Sequence, residues 1–415
     1  MVFTFLAACV MAFFFAANQK MDMIDWKIST DERIEGLRKQ NAQITLNNEK
    51  QIPLPDTIIE IKQVKKAFPF GAAMGKALLL EPRFQLFFQE HFNWAVFGNE
   101  SKWYDNEKEQ GHVNYDNADA LYEWCSTRSI PVRGHCIFWE PEKWQMDWVK
   151  DLDSASLKKA MERRLDSVVS HFRGKFRHWD VNNEMMHGSF FQSRLGKSVW
   201  PWMFQRTHEI DPDCQLFVND FNVLSVDQDF TNVQTEEYVE YIRELLVQNA
   251  PVSGIGIQGH VWDEDILSKP KIIQSRLDTI GALNIPIWIT EFDVALEDEG
   301  ERADILELVY RTAYSHPMVE GIMMWVVWAG NSWRGPNAGI VNADWTLNEA
   351  GRRFESLMAE WNTEVRGRTN EAGQYTFRGF HGQYEVTIKQ DGMKPVVRSF
   401  DLKQIDEPIF IRLQV

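Results

Sequence analysis

The sequence predicts an α/β fold, a closed (β/α)8 TIM barrel, because apolar strand candidates alternate with helical segments from about Phe68 to Trp361. The strand candidates are Phe70–Met74, Trp94–Phe97, Val132–His135, His178–Asn183, Gln215–Asn219, Gly254–Gln258, Pro286–Thr290 and Gly321–Val326. Helical periodicity is clearest at Leu157–Phe172, Thr235–Asn249, Lys271–Leu283 and Arg302–Ser315. Polar and aromatic residues follow most of these strands, and a barrel brings such strand ends to one face.

A doubly wound open sheet is the alternative reading of this alternation. That fold normally places a glycine-rich phosphate-binding turn after its first strand. No such turn follows Phe70–Met74, and the chain shows no basic phosphate cradle. These absences favour the barrel and argue against a dehydrogenase or a phosphate-binding barrel.

The segments that flank the barrel predict a small accessory β-sandwich. Residues 42–66 alternate apolar and polar positions, and a short charged helix is expected over Thr30–Arg38. After the barrel, turn signals separate the strand candidates Gln374–Arg378, Tyr384–Lys389, Val396–Leu402 and Pro408–Leu413. Because a tail of about 45 residues is marginal alone, we expect both flanks to share one module with the barrel inserted between them. The expected boundaries are 1–17 for an apolar segment, 18–66 and 366–415 for the accessory module, and 67–362 for the barrel.

Composition and charge exclude several classes of partner. The net charge of −16 argues against nucleic acid and anionic membrane, and favours a neutral or weakly charged substrate. The 17 tryptophans could stack on sugar rings, although core packing must account for most of them. The ten histidines are scattered without metal-ligand spacing. We therefore expect that the protein needs no metal, and we also expect no other cofactor. The protein is expected to be a monomer.

The N-terminal segment Val2–Ala17 is almost wholly apolar but too short to span a bilayer comfortably. It resembles the apolar region of a secretory signal, although no Lys or Arg precedes it and Phe14 and Phe15 stand where small residues are wanted. We expect a secreted, extracellular protein with no membrane contact once processed. A retained anchor and a cytosolic start remain alternatives.

The cysteines do not form a disulfide framework. Of the four, Cys9 lies in the apolar N-terminal segment, and Cys125, Cys136 and Cys214 are expected to be buried free thiols. A bridge between Cys125 and Cys136 is the alternative.

Two strand candidates end on glutamates, Glu184 and Glu291. Hydrolysis of a glycosidic bond needs two carboxyl groups, one to protonate the leaving oxygen and one to support the anomeric carbon. A strand-end glutamate seen alone is more often a salt-bridge partner. Here Asn182 and Asn183 stand beside the first acid, polar groups that a purely structural strand rarely places there.

The barrel region resembles glycoside hydrolase family 10, the retaining xylanases, and especially its plant and invertebrate branch. The resemblance rests on motifs at 99–103 (NESKW), 133–139 (RGHCIFW), 179–184 (WDVNNE), 219–222 (NDFN), 258–260 (QGH), 291–293 (EFD), Trp325 and 332–334 (SWR). They occur in the family's order over nearly the whole barrel region. The resemblance implies endo-1,4-β-xylanase activity by double displacement.

Roles for the reacting groups follow from this resemblance. Glu184 matches the family's general acid/base and Glu291 its nucleophile. His260 resembles the partner of the nucleophile, and Asp293 would orient that histidine. Asn183 would bind the 2-hydroxyl of the sugar.

The resemblance also implies substrate-binding residues. Trp139, Trp325 and Trp333 would form walls near the cleaved bond, although each could instead belong to the core. Sugar donors on the non-reducing side of the cut would be Asn99, Lys102 and His135. Gln258 would add a polar contact, and Arg334 is expected at the rim of the site.

Three positions depart from the family pattern. Gly98 stands where most members carry a glutamate that binds a sugar, Glu140 replaces a histidine, and Phe221 replaces a tyrosine. We therefore expect xylan, or a related β-1,4-linked polysaccharide, as the partner, with side activity on β-1,4-glucans. A β-1,4-glucan hydrolase and a non-catalytic polysaccharide-binding barrel remain the alternatives.

Overall fold

The computed structural model describes residues 22–224, 235–262, 270–390, 394–404 and 409–414. The chain divides into two compact units. Of the described residues, those within 22–26 and 70–352 form the barrel unit, and those within 27–69 and 353–414 form the sandwich unit. The apolar segment 1–17, the turn at Asp391-Gly392 and the predicted start of the last strand at Pro408 lie outside the described residues.

The strands are numbered in chain order. They are β1 (Lys39–Asn47), β2 (Ile58–Lys66), β3 (Phe70–Met74), β4 (Trp94–Phe97), β5 (Val132–Gly134), β6 (Phe138–Trp139), β7 (Phe176–Asn183), β8 (Gln215–Asp220), β9 (Gly254–Ile257), β10 (His260–Val261), β11 (Ile287–Val294), β12 (Val319–Met324), β13 (Glu364–Arg368), β14 (Gln374–Phe380), β15 (Gly382–Lys389), β16 (Val396–Leu402) and β17 (Ile409–Gln414).

The helices are α1 (residues 22–38), α2 (Lys76–Leu80), α3 (Pro82–His91), α4 (Trp103–Asn106), α5 (Asp116–Ser126), α6 (Asp147–Lys150), α7 (Ser154–Phe172), α8 (Phe190–Leu195), α9 (Val199–Ile210), α10 (Thr235–Val247), α11 (Pro270–Gly281), α12 (Glu299–Tyr314) and α13 (Glu349–Glu360). In the described part of the chain, short 3-10 helices cover Glu142–Trp144 and Ala329–Asn331. Within the described ranges no helix combines the length and the apolar character needed to cross a bilayer.

Eight parallel strands close into a barrel in the order β3-β4-β5-β7-β8-β9-β11-β12, and β12 pairs back onto β3. The short strands β6 and β10 extend the ring beside β7 and β11. All eight predicted strands are present, so the predicted fold class is confirmed. The four predicted barrel helices correspond to α7, α10, α11 and α12, each with ends that differ by three residues or fewer.

Large and small side chains alternate inside the barrel. Trp288, Phe217 and Met323 are buried in one cluster with Ala73 and Val96. A Cβ added to Gly321 would lie 2.4 Å from the ring of Trp288. Glycine on β12 therefore makes room for the indole from β11, and the barrel interior is filled by side chains as in other (β/α)8 folds.

The sandwich unit packs two sheets around one core. One sheet has the order β14-β1-β17 and the other the order β13-β2-β15-β16. Both contribute to a single buried cluster that includes Ile44, Leu46, Ile61, Tyr384 and Val386. Strands from before and after the barrel thus share one core, as the alternation in both flanks predicts. β13 was not predicted, because its side chains alternate only between half-buried and exposed.

The three cysteines within the described residues, Cys125, Cys136 and Cys214, are buried free thiols. The expectation of free thiols is confirmed, and the alternative bridge between Cys125 and Cys136 is wrong.

Candidate active site

A cleft of about 1200 Å³ opens at the carboxyl ends of the barrel strands. Of the site residues predicted from the sequence, all except Asp293 and Arg334 line it: Asn99, Lys102, His135, Trp139, Asn183, Glu184, Gln258, His260, Glu291, Trp325 and Trp333. Parallel strands point the same way, so residues at strand ends that are far apart in sequence meet here.

Glu184 is placed by a sharp bend at the end of β7. Its φ of 57° lies in the left-handed region, where a residue with a Cβ is disfavoured. Its backbone N–H donates to the carbonyl of Asn219 at 3.0 Å, which holds this bend against β8.

The Glu184 carboxyl is 9% exposed and accepts hydrogen bonds at Oε1 from Asn183 Nδ2 (3.2 Å) and Gln258 Nε2 (3.1 Å). Burial raises the pKa of Glu184. The hydrogen bond from Gln258 opposes this rise in pKa, and the negative charges of Asp220 and Glu291 add to it. The group is therefore biased toward its protonated form.

Glu291 lies within β11, which is buried along its whole length. Its Oε1 accepts from Asn219 Nδ2 at 2.8 Å, and its Oε2 lies 3.6 Å from His260 Nε2. Burial alone would raise the pKa of Glu291, but the charges of His135, His260 and Lys102 and the hydrogen bond from His260 outweigh it and lower the pKa to about 2. Glu291 is therefore a carboxylate at neutral pH.

Asn219, at the end of β8, connects the two acids. Its Nδ2 donates both to Glu291 Oε1 and to Asn183 Oδ1, each at 2.8 Å. Its Oδ1 accepts from the Thr290 hydroxyl at 2.6 Å. Asn219 belongs to the motif at 219–222, but no role for it was predicted; its position at a strand end was the signal that could have identified it.

His260 stands between two carboxylates. Its Nδ1 lies 2.9 Å from Asp293 Oδ1, while Nε2 faces Glu291. Burial lowers the pKa of His260, but the charge and hydrogen bond of Asp293 together with Glu291 raise it to about 9. At neutral pH the imidazolium can therefore donate to Asp293 and form an ion pair with Glu291. Asp293 does not line the cleft but lies behind His260, as an orienting group would.

The prediction that Arg334 is a rim residue is wrong. Its side chain is 1% exposed and forms an ion pair with Asp293 Oδ1. Its Nη2 also donates to the carbonyl of Val261 at 2.9 Å. The buried charge of Asp293 required a second cation, which spacing along the sequence did not reveal.

A second buried network positions His135. Its Nδ1 lies 2.8 Å from Asp180 Oδ2, and Arg133 forms an ion pair with the other oxygen of that carboxylate. The same His135 nitrogen lies 3.9 Å from Glu291 Oε1. Asp180 and Arg133 belong to the motifs at 179–184 and 133–139, but neither was predicted to have a role.

Aromatic side chains form the walls of the cleft. Trp139 stacks on Trp144, with ring centroids 4.4 Å apart, and Lys102 Nζ lies 4.3 Å from the Trp139 ring centroid. Trp325 packs edge-on against His135 at 5.3 Å. Trp333 is 60% exposed and packs edge-on against His260. Trp144, Trp262 and Trp328 also line the cleft and were not predicted from the sequence.

The three departures from the family pattern have different surroundings. Glu140 is fully buried outside the cleft lining, where it accepts from Asn182 Nδ2 (2.6 Å) and from the backbone N–H of Phe191 (3.0 Å). Gly98 and Phe221 both line the cleft. Glu140 is therefore a structural acceptor, and the other two shape the cleft itself.

No group of three or more His, Cys, Asp or Glu side chains among the described residues is arranged to hold a metal ion. The arrangement that remains is a closed barrel with two buried carboxyl groups of opposite protonation bias in an aromatic cleft. This is the class of site found in (β/α)8 barrels of the glycoside hydrolase type.

Comparison with known proteins agrees with that class. The model for glycosyl hydrolase family 10 matches residues 61–378, and the chain belongs to this family. Endo-1,4-beta-xylanase 3 of Arabidopsis thaliana is 40% identical over 387 residues, which cover 92% of this chain and 50% of that protein. A protein of Acetivibrio thermocellus named anti-sigma-I factor RsgI6 is 48% identical over 369 residues, covering 89% of this chain and 47% of that protein. The chain thus spans about half the length of these two relatives.

The fold is also similar to solved structures. Xylanase 10B from Thermotoga petrophila RKU-1, solved in complex with xylobiose, aligns with a TM-score of 0.64 at 22% identity. The alignment covers 71% of this chain and 94% of that one.

Proposed function

We propose that the barrel is a retaining endo-1,4-β-xylanase that hydrolyses internal β-1,4-xylosidic bonds by double displacement. The observation that carries the proposal is the opposite protonation bias of Glu184 and Glu291. Burial and neighbouring acids raise the pKa of Glu184, whereas surrounding cations hold the pKa of Glu291 at about 2. A general acid and a nucleophile in one cleft require this difference.

In the first step the Glu291 carboxylate attacks the anomeric carbon while Glu184 protonates the glycosidic oxygen. The C–O bond breaks, the leaving sugar departs as an alcohol, and a glycosyl ester on Glu291 forms. In the second step the Glu184 carboxylate takes a proton from water, which attacks the same carbon. The ester bond breaks and Glu291 leaves as a carboxylate, so the two inversions give net retention.

His260 and Asp293 support the nucleophile in this scheme. A protonated His260 donates toward Glu291 Oε2 and stabilises the carboxylate both before attack and when it leaves. Asp293 orients the imidazole through Nδ1. Both are positioning residues, because their action passes through Glu291.

The remaining lining residues are proposed to bind the sugar chain. Asn183 lies beside Glu184 and would bind the 2-hydroxyl at the cleaved sugar. Asn99, Lys102 and His135 would donate on the non-reducing side, and Gln258 would add a polar contact near Glu184. The indole rings of Trp139, Trp325 and Trp333 line the cleft and suit the apolar faces of sugar rings.

Two observations support xylan as the substrate. The Arabidopsis relatives carry the name endo-1,4-beta-xylanase, and the net charge of −16 favours a chain with few acidic groups. Gly98 lines the cleft without a side chain, and Phe221 brings no hydroxyl. We propose side activity on β-1,4-glucans on this ground, because glucose needs extra room for its hydroxymethyl group.

A second candidate is a polysaccharide-binding barrel without turnover. It is favoured by one observation, the 48% identity to a protein named as an anti-sigma factor rather than as a hydrolase. The presence of Glu184, Glu291 and His260 in one cleft supports catalysis instead.

The deciding experiment measures reducing-sugar release from xylan, mannan and carboxymethylcellulose. Wild type should act mainly on xylan, and Glu291→Gln should lose activity by about 10³-fold or more. Glu162→Gln, an exposed position on α7, is the matched control and should keep full activity. A wild type that releases sugar from none of the three would favour the binding protein.

Secretion, a monomeric state and the boundaries 1–17, 18–66, 67–362 and 366–415 are also proposals. N-terminal sequencing of the exported protein tests the first boundary, and sedimentation tests the monomer. Deleting residues 1–66 should make the tail 366–415 protease-sensitive, since β1 and β2 contribute to its core.

A further inference from the structure

The cleft extends beyond the two acids to a part of the rim that is formed by the segments following β3 and β12. Trp328, Phe84 and Leu80 line it there, together with Lys76 and Asn331. β3 and β12 are neighbours in the ring, so the loops that follow them meet. None of these five side chains contacts Glu184 or Glu291 within the hydrogen bonds and ion pairs of the described residues.

Trp328 is held rigidly in this wall. Its ring stacks on Trp345 with centroids 4.8 Å apart and planes 22° from parallel. Its indole N–H donates to the carbonyl of Ala343 at 3.2 Å. Phe84 packs against both indoles, at 6.3 Å from Trp328 and 5.8 Å from Trp345. The half-buried ring is therefore fixed from behind and needs no reordering to receive a ligand.

The same rim of the cleft carries an exposed apolar side chain and polar groups. Leu80 is 83% exposed, an unusual state for a leucine that lines a cleft. Lys76 and Asn331 are also exposed at this end and offer hydrogen-bond donors. An aromatic face beside donors is the chemistry that recognises a pyranose ring, which has an apolar face and a rim of hydroxyls.

The order of strands in the ring decides which part of the sugar chain would lie here. Glu184 follows β7, and β7 lies opposite β12 in the eight-stranded ring. The leaving sugar must lie next to the acid that protonates it. The opposite rim therefore receives sugars on the non-reducing side of the cleaved bond, beyond those near Asn99 and Lys102.

We propose that Trp328 and Leu80 form a distal binding site for further sugars on the non-reducing side of a β-1,4-linked chain. This proposal rests on the proposed function for the direction of the chain. The site makes the enzyme prefer long chains, because only these reach from Glu184 to Trp328.

The test compares a long and a short ligand without requiring turnover. Binding of xylohexaose, cellohexaose and xylotriose is measured by calorimetry in the Glu291→Gln background, with and without Trp328→Ala. We expect the affinity for the hexasaccharide to fall about 5- to 10-fold, as loss of an aromatic contact would give, and the affinity for xylotriose to stay within about 2-fold. Trp328→Phe should recover part of the loss.

Leu80→Ala and Leu86→Ala are a variant and its matched control, which separate a local effect on binding from misfolding. Both leucines are exposed, at 83% and 69%, but only Leu80 lines the cleft. Leu80→Ala should weaken hexasaccharide binding by about 2- to 4-fold and Leu86→Ala should leave it unchanged. Equal loss for long and short ligands, unchanged hexasaccharide binding, or no binding of either hexasaccharide overturns the distal site. If the wild type hydrolyses none of the polysaccharides but Trp328→Ala still weakens hexasaccharide binding, the hydrolase proposal is overturned and the distal site is supported.

Discussion

Asn219 Nδ2 donates to Glu291 Oε1 at 2.8 Å, and the same nitrogen donates to Asn183, whose own amide donates to Glu184. One amide on β8 thus connects Glu184, which follows β7, with Glu291, which lies within β11. Geometry at both acids therefore depends on a residue that carries no charge.

Replacing Asn219 by Ala should lower kcat/KM on xylan by about 10- to 100-fold, because a hydrogen bond to a charged group contributes about 1.5–3 kcal/mol. The acid limb of the pH profile should also move to higher pH, since Glu291 loses a donor to its ionised form. Asn117→Ala, at an exposed position on α5, is the control. Unchanged kcat/KM in Asn219→Ala would show that the bridging amide is dispensable.

The pH dependence of activity should be bell-shaped. Activity requires Glu291 as a carboxylate, which is lost only as the pH falls toward about 2. It also requires Glu184 with its proton, which is lost as the pH rises through the raised pKa of Glu184, above the ordinary value of 4.5.

Asp220→Asn should move the alkaline limb to lower pH, because the negative charge of Asp220 helps to raise the pKa of Glu184. The acid limb should stay in place. The measurement is kcat/KM against pH, with Asp213→Asn as the exposed control. An alkaline limb that stays fixed, or moves to higher pH, contradicts this assignment.

Arg334→Met should destabilise the fold by about 3–5 kcal/mol, the cost of breaking a buried ion pair by removing one of its charges. The ion pair with Asp293 is buried on both sides. Arg206→Met is the matched control, because Arg206 is 37% exposed and its pairs with Asp166 and Glu209 lie at the surface, where they contribute about 0–1 kcal/mol. Urea unfolding of both variants checks the difference, and equal destabilisation would refute it.

Glu140→Ala should lower the free energy of unfolding by at least about 3 kcal/mol, because several buried donors lose their acceptor at once. These donors are Asn182 Nδ2, Trp200 Nε1 and the backbone N–H groups of Phe191 and Gln192. The exposed Glu142→Ala should change stability by less than about 0.5 kcal/mol. Thermal unfolding measures both, and a Glu140→Ala protein as stable as wild type would mean that water replaces the carboxylate.

Much of this molecule could be predicted from sequence because the relevant signals are local. Apolar runs of four to six residues marked the barrel strands, and the two-residue alternation in the flanks marked a sandwich. The short strands β6 and β10 were missed, since two residues carry no period. Arg334 was wrongly predicted at the rim for a different reason. Its burial depends on its ion pair with Asp293, which lies 41 positions earlier in the chain.

The sequence by itself determined the strand positions, and with them the appearance of Glu184 and Glu291 at one end of a barrel, because side-chain periodicity and strand-end polarity are properties of neighbouring residues. Only the tertiary structure decided how those acids are tuned. The Asn219 bridge, the cations around Glu291, the buried pair of Asp293 with Arg334 and the fixed ring of Trp328 all join residues from different strands or loops. Such contacts depend on closure of the ring, which sets distances that no spacing along the chain encodes.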